Sequence, residues 1–147
     1  MNIEIVKTIR NKQKFSQVYV ANKLNMSASN YVCIENEKHR LKLIELIRLT
    51  RLLGKEILDC TDPRIFEYSL IENYTDDEIH NIIISMIKYK RKLCKLTNKA
   101  LSRSVSITES SYSRKENLLS PFFIPEIENI FKELDIKSIT LHQIKWL

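Results

Sequence analysis

Apolar positions recur along this chain at helical spacing. Ile5, Val6 and Ile9 predict a first helix that ends near Lys14. Ser16 is a natural N-cap for a second helix to about Leu24, with Val18, Ala21 and Leu24 on its inner side. Asn25 follows as a turn residue that tolerates a left-handed backbone. Ser27 then caps a third helix to about Asn36, whose buried side carries Tyr31 and Ile34. Ile44, Ile47 and the Leu-rich stretch after them predict a longer closing helix, stopped at Gly54. Ala21, Leu24, Tyr31, Ile34 and Leu46 are expected in the core.

The same plan returns further on. Thr75 with Glu78 three residues later reads as a capping box for a helix from about Asp76 to Leu93. Thr97 caps the next helix and Thr108 the third, and Pro125 sits at the start of a last one, where no amide hydrogen is needed. Shifted by 81 positions, Phe15 to Asn36 lies over Leu96 to Asn117 without a gap, Tyr31 on Tyr112, Glu35 on Glu116 and Asn36 on Asn117. The register extends outward, from Arg10 over Arg91 to Leu53 over Leu134. A self-match at so long a period implies two copies of one small domain rather than a solenoid of short units.

Composition supports an all-α reading. One glycine and three prolines in 147 residues leave few turns of the kind hairpins need. The expected organisation is a first domain at 1–58, an ordered acidic linker at 59–75, and a second domain with a C-terminal extension at 76–147. In the linker, Asp62-Pro63 starts a short helix or turn, and Ile65, Phe66, Leu70 and Ile71 are able to pack. Leu141, Ile144, Trp146 and Leu147 form an apolar cluster that closes the second domain or meets another subunit. Charge divides along the chain: residues 1–58 carry 11 Lys and Arg against 5 Asp and Glu, residues 59–78 carry 1 against 7, and residues 79–147 carry 12 against 6. Both repeats are basic around an acidic joint, which suits a polyanionic partner as well as a solvated surface.

Several function classes fall away. Cys33, Cys60 and Cys94 stand in unrelated settings without a C-x-x-C, so neither a disulfide framework nor a zinc site is expected. His39, His80 and His142 are far apart, and no metal or cofactor is implied. There is no Gly-rich phosphate loop and no constellation of acid, base and nucleophile, so the expectation is a non-enzyme with no small-molecule substrate. No apolar run approaches the roughly 18 residues of a membrane span, and the start lacks a signal-peptide core, so a cytoplasmic location is expected.

The run Phe15-Ser16-Gln17, then Ala21 and Leu24, then Met26-Ser27, then Ile34-Glu35 resembles the helix-turn-helix of the Cro/repressor, or XRE, family. The resemblance covers residues 3 to 54 and, in weaker form, 79 to 136. It implies two tandem lambda-repressor-like helix-turn-helix domains, the second degenerate, in a double-stranded DNA-binding regulator that acts as a repressor. The helix at 27–36 would enter a major groove about 12 Å wide. Ala28, Ser29, Asn30 and Cys33, with Val32, face outward on it; Asn30 suits adenine, Ser29 several base edges, and Ala28 or Val32 a thymine methyl. Gln17 matches the family's phosphate-gripping position, and Arg10, Lys14, Lys38 and Arg40 are expected to add contacts to the backbone, with Lys12, Lys23 and His39 nearby.

The second copy departs from the pattern. Asn98 replaces the glutamine, Ser102 the alanine, and Lys115 stands where the first copy has Ile34. Asn98, Ser110, Ser111, Arg114 and Lys115, with Arg103, would make a second DNA site, while Glu109 repels phosphate unless it accepts from a cytosine amino group. The copy reads another sequence, or it serves packing or dimerisation. If both copies dock, the chain acts as a covalent pseudo-dimer; if only the first does, a homodimer would read half-sites about 10 base pairs apart or a multiple of that. The rival reading is a protein-interaction module, antitoxin-like or an adaptor, favoured by the small, nearly uncharged set Ala28, Ser29, Val32 and Cys33.

Overall fold

Turn chemistry sets the architecture. The computed structural model describes residues 1–145, all helix and connecting turns, with no strands among the described residues. Helices α1 (Ile3–Lys12), α2 (Gln17–Lys23), α3 (Ala28–Glu35) and α4 (Leu43–Leu53) are followed by a 3-10 helix at Lys55–Cys60 and a short α5 (Ser69–Asn73). Then come α6 (Asp76–Leu93), α7 (Asn98–Ser104), α8 (Glu109–Glu116), α9 (Ile124–Glu133) and α10 (Leu141–Ile144). Trp146 and Leu147, half of the expected terminal cluster, lie outside the described residues; Leu141 and Ile144 pack against the core.

The order α1–α4 returns as α6–α9 with the local devices in register. Ser16, Ser27, Thr97 and Thr108 each accept from the amide three residues on. A chain with one glycine must end its helices on other residues, and Lys14, Asn25 and Glu37 take left-handed backbone, φ 61°, 56° and 60°. Lys95, Ser106 and Leu118, each 81 positions later, do the same at 57°, 58° and 64°. The strain is offset by recovered carbonyls: Phe15 N donates to Arg10 O at 3.1 Å and Lys14 N to Asn11 O at 3.0 Å, the two-bond Schellman closure.

The two units share one continuous core, with Ile5, Ile9 and Ile44 partly buried against it. Ala21, Leu24, Tyr31, Ile34 and Leu46 are buried as the spacing predicts. Val18 is not: it is 55% exposed, and Val20 takes the inward position beside Ala21 and Leu24. Ser102, in the place of Ala21, is buried with its Oγ donating to Lys99 O at 2.9 Å, so the added hydroxyl is satisfied within its own helix. In the linker, Ile65, Phe66, Leu70 and Ile71 pack into the core, and Glu67 N donates to Ile139 O at 3.0 Å.

Helix α4 joins the halves. Leu43, Leu46, Ile47, Leu49, Thr50 and Leu53 are all buried, because α4 packs on α2 and the 3-10 helix within its own unit and on α5, α6 and α9 beyond it. From its last turn Arg51 donates to Asp76 Oδ1 at 2.7 Å, Ile71 O at 2.9 Å and Tyr74 O at 2.7 Å, holding the end of α5 against the start of α6. The segments before α4 and α9 also meet. Lys42 and Phe123 form an antiparallel bridge, with Leu43 N donating to Phe122 O at 3.0 Å and Ile124 N to Leu41 O at 2.8 Å.

Candidate nucleic-acid interface

Helices α1 and α2 position α3. Ser27 Oγ accepts from Asn30 N at 3.2 Å, which fixes the first turn and leaves the amides and side chains that follow it facing away from the core. Ser27 and Ser29 are exposed, and Ala28, Asn30, Val32 and Cys33 are half-buried. Tyr31, Ile34 and Glu35 hold the opposite side. The residues expected to read bases therefore sit on one accessible side of one helix.

The far end of α3 is anchored by charge. Arg10 Nε donates to Glu35 Oε1 at 2.6 Å, Arg10 Nη2 to Glu35 Oε2 at 2.9 Å, and Arg10 Nη1 to Phe15 O at 3.0 Å. Gln17 Nε2 adds a bond to Glu35 Oε2 at 2.7 Å, so one carboxylate ties α1, α2 and α3 together. Burial alone would raise the Glu35 carboxyl; the hydrogen bonds from Arg10 and Gln17 outweigh it and hold the group below its ordinary range. The hydrogen bond to Glu35 likewise raises Arg10. Tyr31, beside them, is raised by burial first and by Glu35 second.

This pair corrects the sequence expectation for Arg10. It is buried and spent on Glu35, because a guanidinium at the inner side of α1 cannot remain unpaired away from water, so it is no phosphate contact. A signal was present: Arg10 and Glu35 recur as Arg91 and Glu116 while most of the surrounding residues change. The second pair is equally bidentate, at 3.0 and 2.7 Å, with Arg91 Nη1 on Leu96 O at 2.8 Å. Gln17 stands at the first residue of α2 as expected, with its amide turned inward on Glu35.

The remaining cations differ in freedom. Lys14 and Lys38 are exposed beside the ends of α1 and α3. Arg40 is exposed but leans across to the second unit, its guanidinium carbon 4.2 Å from the centre of the Phe123 ring and Nη1 3.9 Å from Glu126 Oε1. Its side chain stays 57% exposed, so ring and carboxylate direct the guanidinium without enclosing it. Asn30 Oδ1 lies 2.7 Å from His39 Nδ1, which orients the amide and leaves one lone pair of that oxygen open. Asn30 also lines a cleft of about 340 Å³ with Ile34, Lys38, Glu45 and, from the second unit, Phe123.

On α8, Glu109 and Ser110 are exposed, Ser111 is half-buried, and Arg114 is exposed, with Nη2 3.4 Å from Leu119 O. Lys115 departs from its expected role. It is 6% exposed, its Nζ donating to Glu126 Oε1 and Oε2 at 2.8 and 2.7 Å and lying 4.9 Å from the centre of the Phe123 ring. A buried ammonium with a bidentate partner is structural. Asn98 differs from Gln17: one methylene shorter, it makes no bond to Glu116, and its Oδ1 is buried without a partner. Arg103 is exposed on α7.

No group of three or more His, Cys, Asp or Glu side chains that could hold a metal is present among the described residues. No helix there is long and apolar enough to cross a membrane. Residues 6–59 match the model of the helix-turn-helix family. No curated relative and no solved structure matches the chain.

Proposed function

With residues 6–59 forming an XRE-type helix-turn-helix domain, we propose that this protein is a sequence-specific, double-stranded DNA-binding transcriptional regulator, a repressor that occupies its operator and blocks polymerase. The observation that carries the reading is the free outward side of α3 in a domain of this family, Ser27 to Asn30 leading and Cys33 behind. Helix α3 enters the major groove; Ala28, Ser29, Asn30 and Cys33 meet base edges. Lys14 and Lys38 hold phosphates, and Gln17 joins them by exchanging Glu35 for a phosphate oxygen. Acting on DNA, the protein works in the cytoplasm without cofactor or catalysis.

The recurrence of caps, left-handed residues and the Arg–Glu pair after 81 positions supports reading α6–α9 as a second, degenerate helix-turn-helix domain. The domain division then falls at 1–58 and 76–147, with the acidic linker between.

Gel shifts with native promoter fragments over a salt series test the reading. Binding that falls steeply with ionic strength is expected, because neutralised phosphates release counterions; affinity indifferent to salt overturns it. The second reading, a protein-interaction module, is favoured by the nearly uncharged side chains of α3. A complex recovered from lysate that survives nuclease would speak for it, and one that nuclease disperses for the DNA reading.

A further inference from the structure

The two positions that pair across the chain are equivalent positions. Lys42 and Phe123 lie 81 residues apart, and so do the partners in the flanking bonds: Leu43 donates to Phe122, and Ile124, the counterpart of Leu43, donates to Leu41, the counterpart of Phe122. Reciprocal bonding of this kind is the mark of an isologous, two-fold contact. Here it lies inside one polypeptide. The capping carboxylates obey the same relation, Glu45 accepting from Lys42 N at 2.8 Å and Glu126 from Phe123 N at 2.9 Å. Each partner occupies the same place in its own unit, so the contact is two-fold at residues 41–43 and 122–124, while the helices beyond it pack unequally, α4 on α6 above all.

The backbone is symmetric at this contact and the side chains are not. The first unit brings Arg40 and Lys42; the second has Pro121 and Phe123 in their places. Arg40 stacks on the Phe123 ring, near Glu126. Two first units joined through this surface would set Lys42 against Lys42 with no ring for Arg40, and two second units would have no cation in the place of Arg40. The surface fits its own other half better than it fits a copy of itself, and the covalent tether adds effective concentration.

Given the DNA-binding reading above, on which this step rests, we infer that one chain is a complete operator-binding unit whose target is a non-palindromic site with two unlike halves, read by α3 and α8. Ala28, Ser29, Asn30 and Cys33 correspond to Glu109, Ser110, Ser111 and Arg114. The first set suits an A·T-rich half, through Asn30 to adenine and Ala28 to a thymine methyl. The second suits a G·C-rich half, through Arg114 to guanine and Glu109 to a cytosine amino group. The halves stand about 10 base pairs apart, one turn of the duplex, or a multiple of that.

Selection of bound duplexes from a random library, with native mass spectrometry of the selected complex, tests this. The expected result is one chain per duplex on an asymmetric site. Asn30→Ala then loses roughly tenfold in affinity and relaxes preference in the A·T half alone, and Arg114→Ala does the same in the G·C half alone. A palindromic site holding two chains, or a site whose preferences ignore Arg114→Ala, overturns the inference while leaving α3 as a reader. No sequence enrichment at all sinks the DNA-binding reading itself.

Discussion

Arg10 and Glu35, 25 residues apart, face each other through two parallel hydrogen bonds and fasten α1 to the last residue of α3. The pair is almost wholly withdrawn from water, the Glu35 side chain being 2% exposed. Removing one partner strands the other charge. Glu35→Leu is expected to cost about 3–5 kcal/mol, and Arg10→Met a similar amount, whereas the double variant Arg10→Met with Glu35→Leu is less damaging than either. Urea denaturation of the four proteins checks this as a double-mutant cycle.

Acid should loosen the fold in two steps. Burial lowers His80 from its ordinary 6.5. The hydrogen bonds of Arg10 and Gln17, working against burial, lower Glu35 from 4.5. In each case the unfolded chain binds the proton more readily, so the stability is present above the unfolded value and is lost as pH falls through the folded one. The first loss begins below about pH 6.5 and the second below about 4.5. Glu45, raised by burial, works in the opposite sense in the carboxylate range. Denaturant midpoints measured from pH 8 to pH 3 should show the first step vanish in His80→Leu.

Ser27→Ala removes the acceptor for Asn30 N at the start of α3. A loss of about 1 kcal/mol in stability is expected, with Thr108→Ala costing the same at α8. If α3 docks on DNA by its first turn, Ser27→Ala weakens binding by more than the stability loss explains. Melting curves and binding isotherms on the same preparations separate the two effects.

The three thiols differ in exposure and therefore in alkylation. Cys94 is exposed, Cys33 half-buried on α3, and Cys60 buried with its pKa pushed up to about 12 by desolvation. Native protein treated with iodoacetamide should be modified first at Cys94 and last at Cys60, since the thiolate is the reactive form. Operator DNA should protect Cys33. Peptide mass mapping with and without DNA reads both outcomes, and equal labelling of Cys33 in the two would count against α3 as the docking helix.

What was legible in the sequence was whatever depends on neighbours along the chain. Caps need a hydroxyl and an amide three residues away, and the 16/97 and 27/108 positions were readable as such. The apolar faces followed from helical period, with Val18 misplaced because α2 has only seven residues to define its inner side. Charge was the poor guide. Taken singly, Arg10 and Lys115 look like surface cations; the recurrence of Arg10 and Glu35 as Arg91 and Glu116, and the alignment of Lys115 with Ile34, were the signals against it, and the fold supplies the carboxylates 25 and 11 positions away. The meeting of Lys42 with Phe123 was hidden for another reason: aligning two copies says that they are alike and nothing of how they face each other.

Helix α4 packs on both halves of the one continuous core, so the two halves are expected to melt together rather than one by one. A first half cut free after Cys60 would present the apolar side that α6 and α9 now cover, and would cling to other molecules instead of standing alone. The second half is thus indispensable as scaffolding whatever its outer face does. The outward residues of α8 differ from those of α3, Glu109 and Arg114 standing where Ala28 and Cys33 do, while the internal ties beneath them are the same.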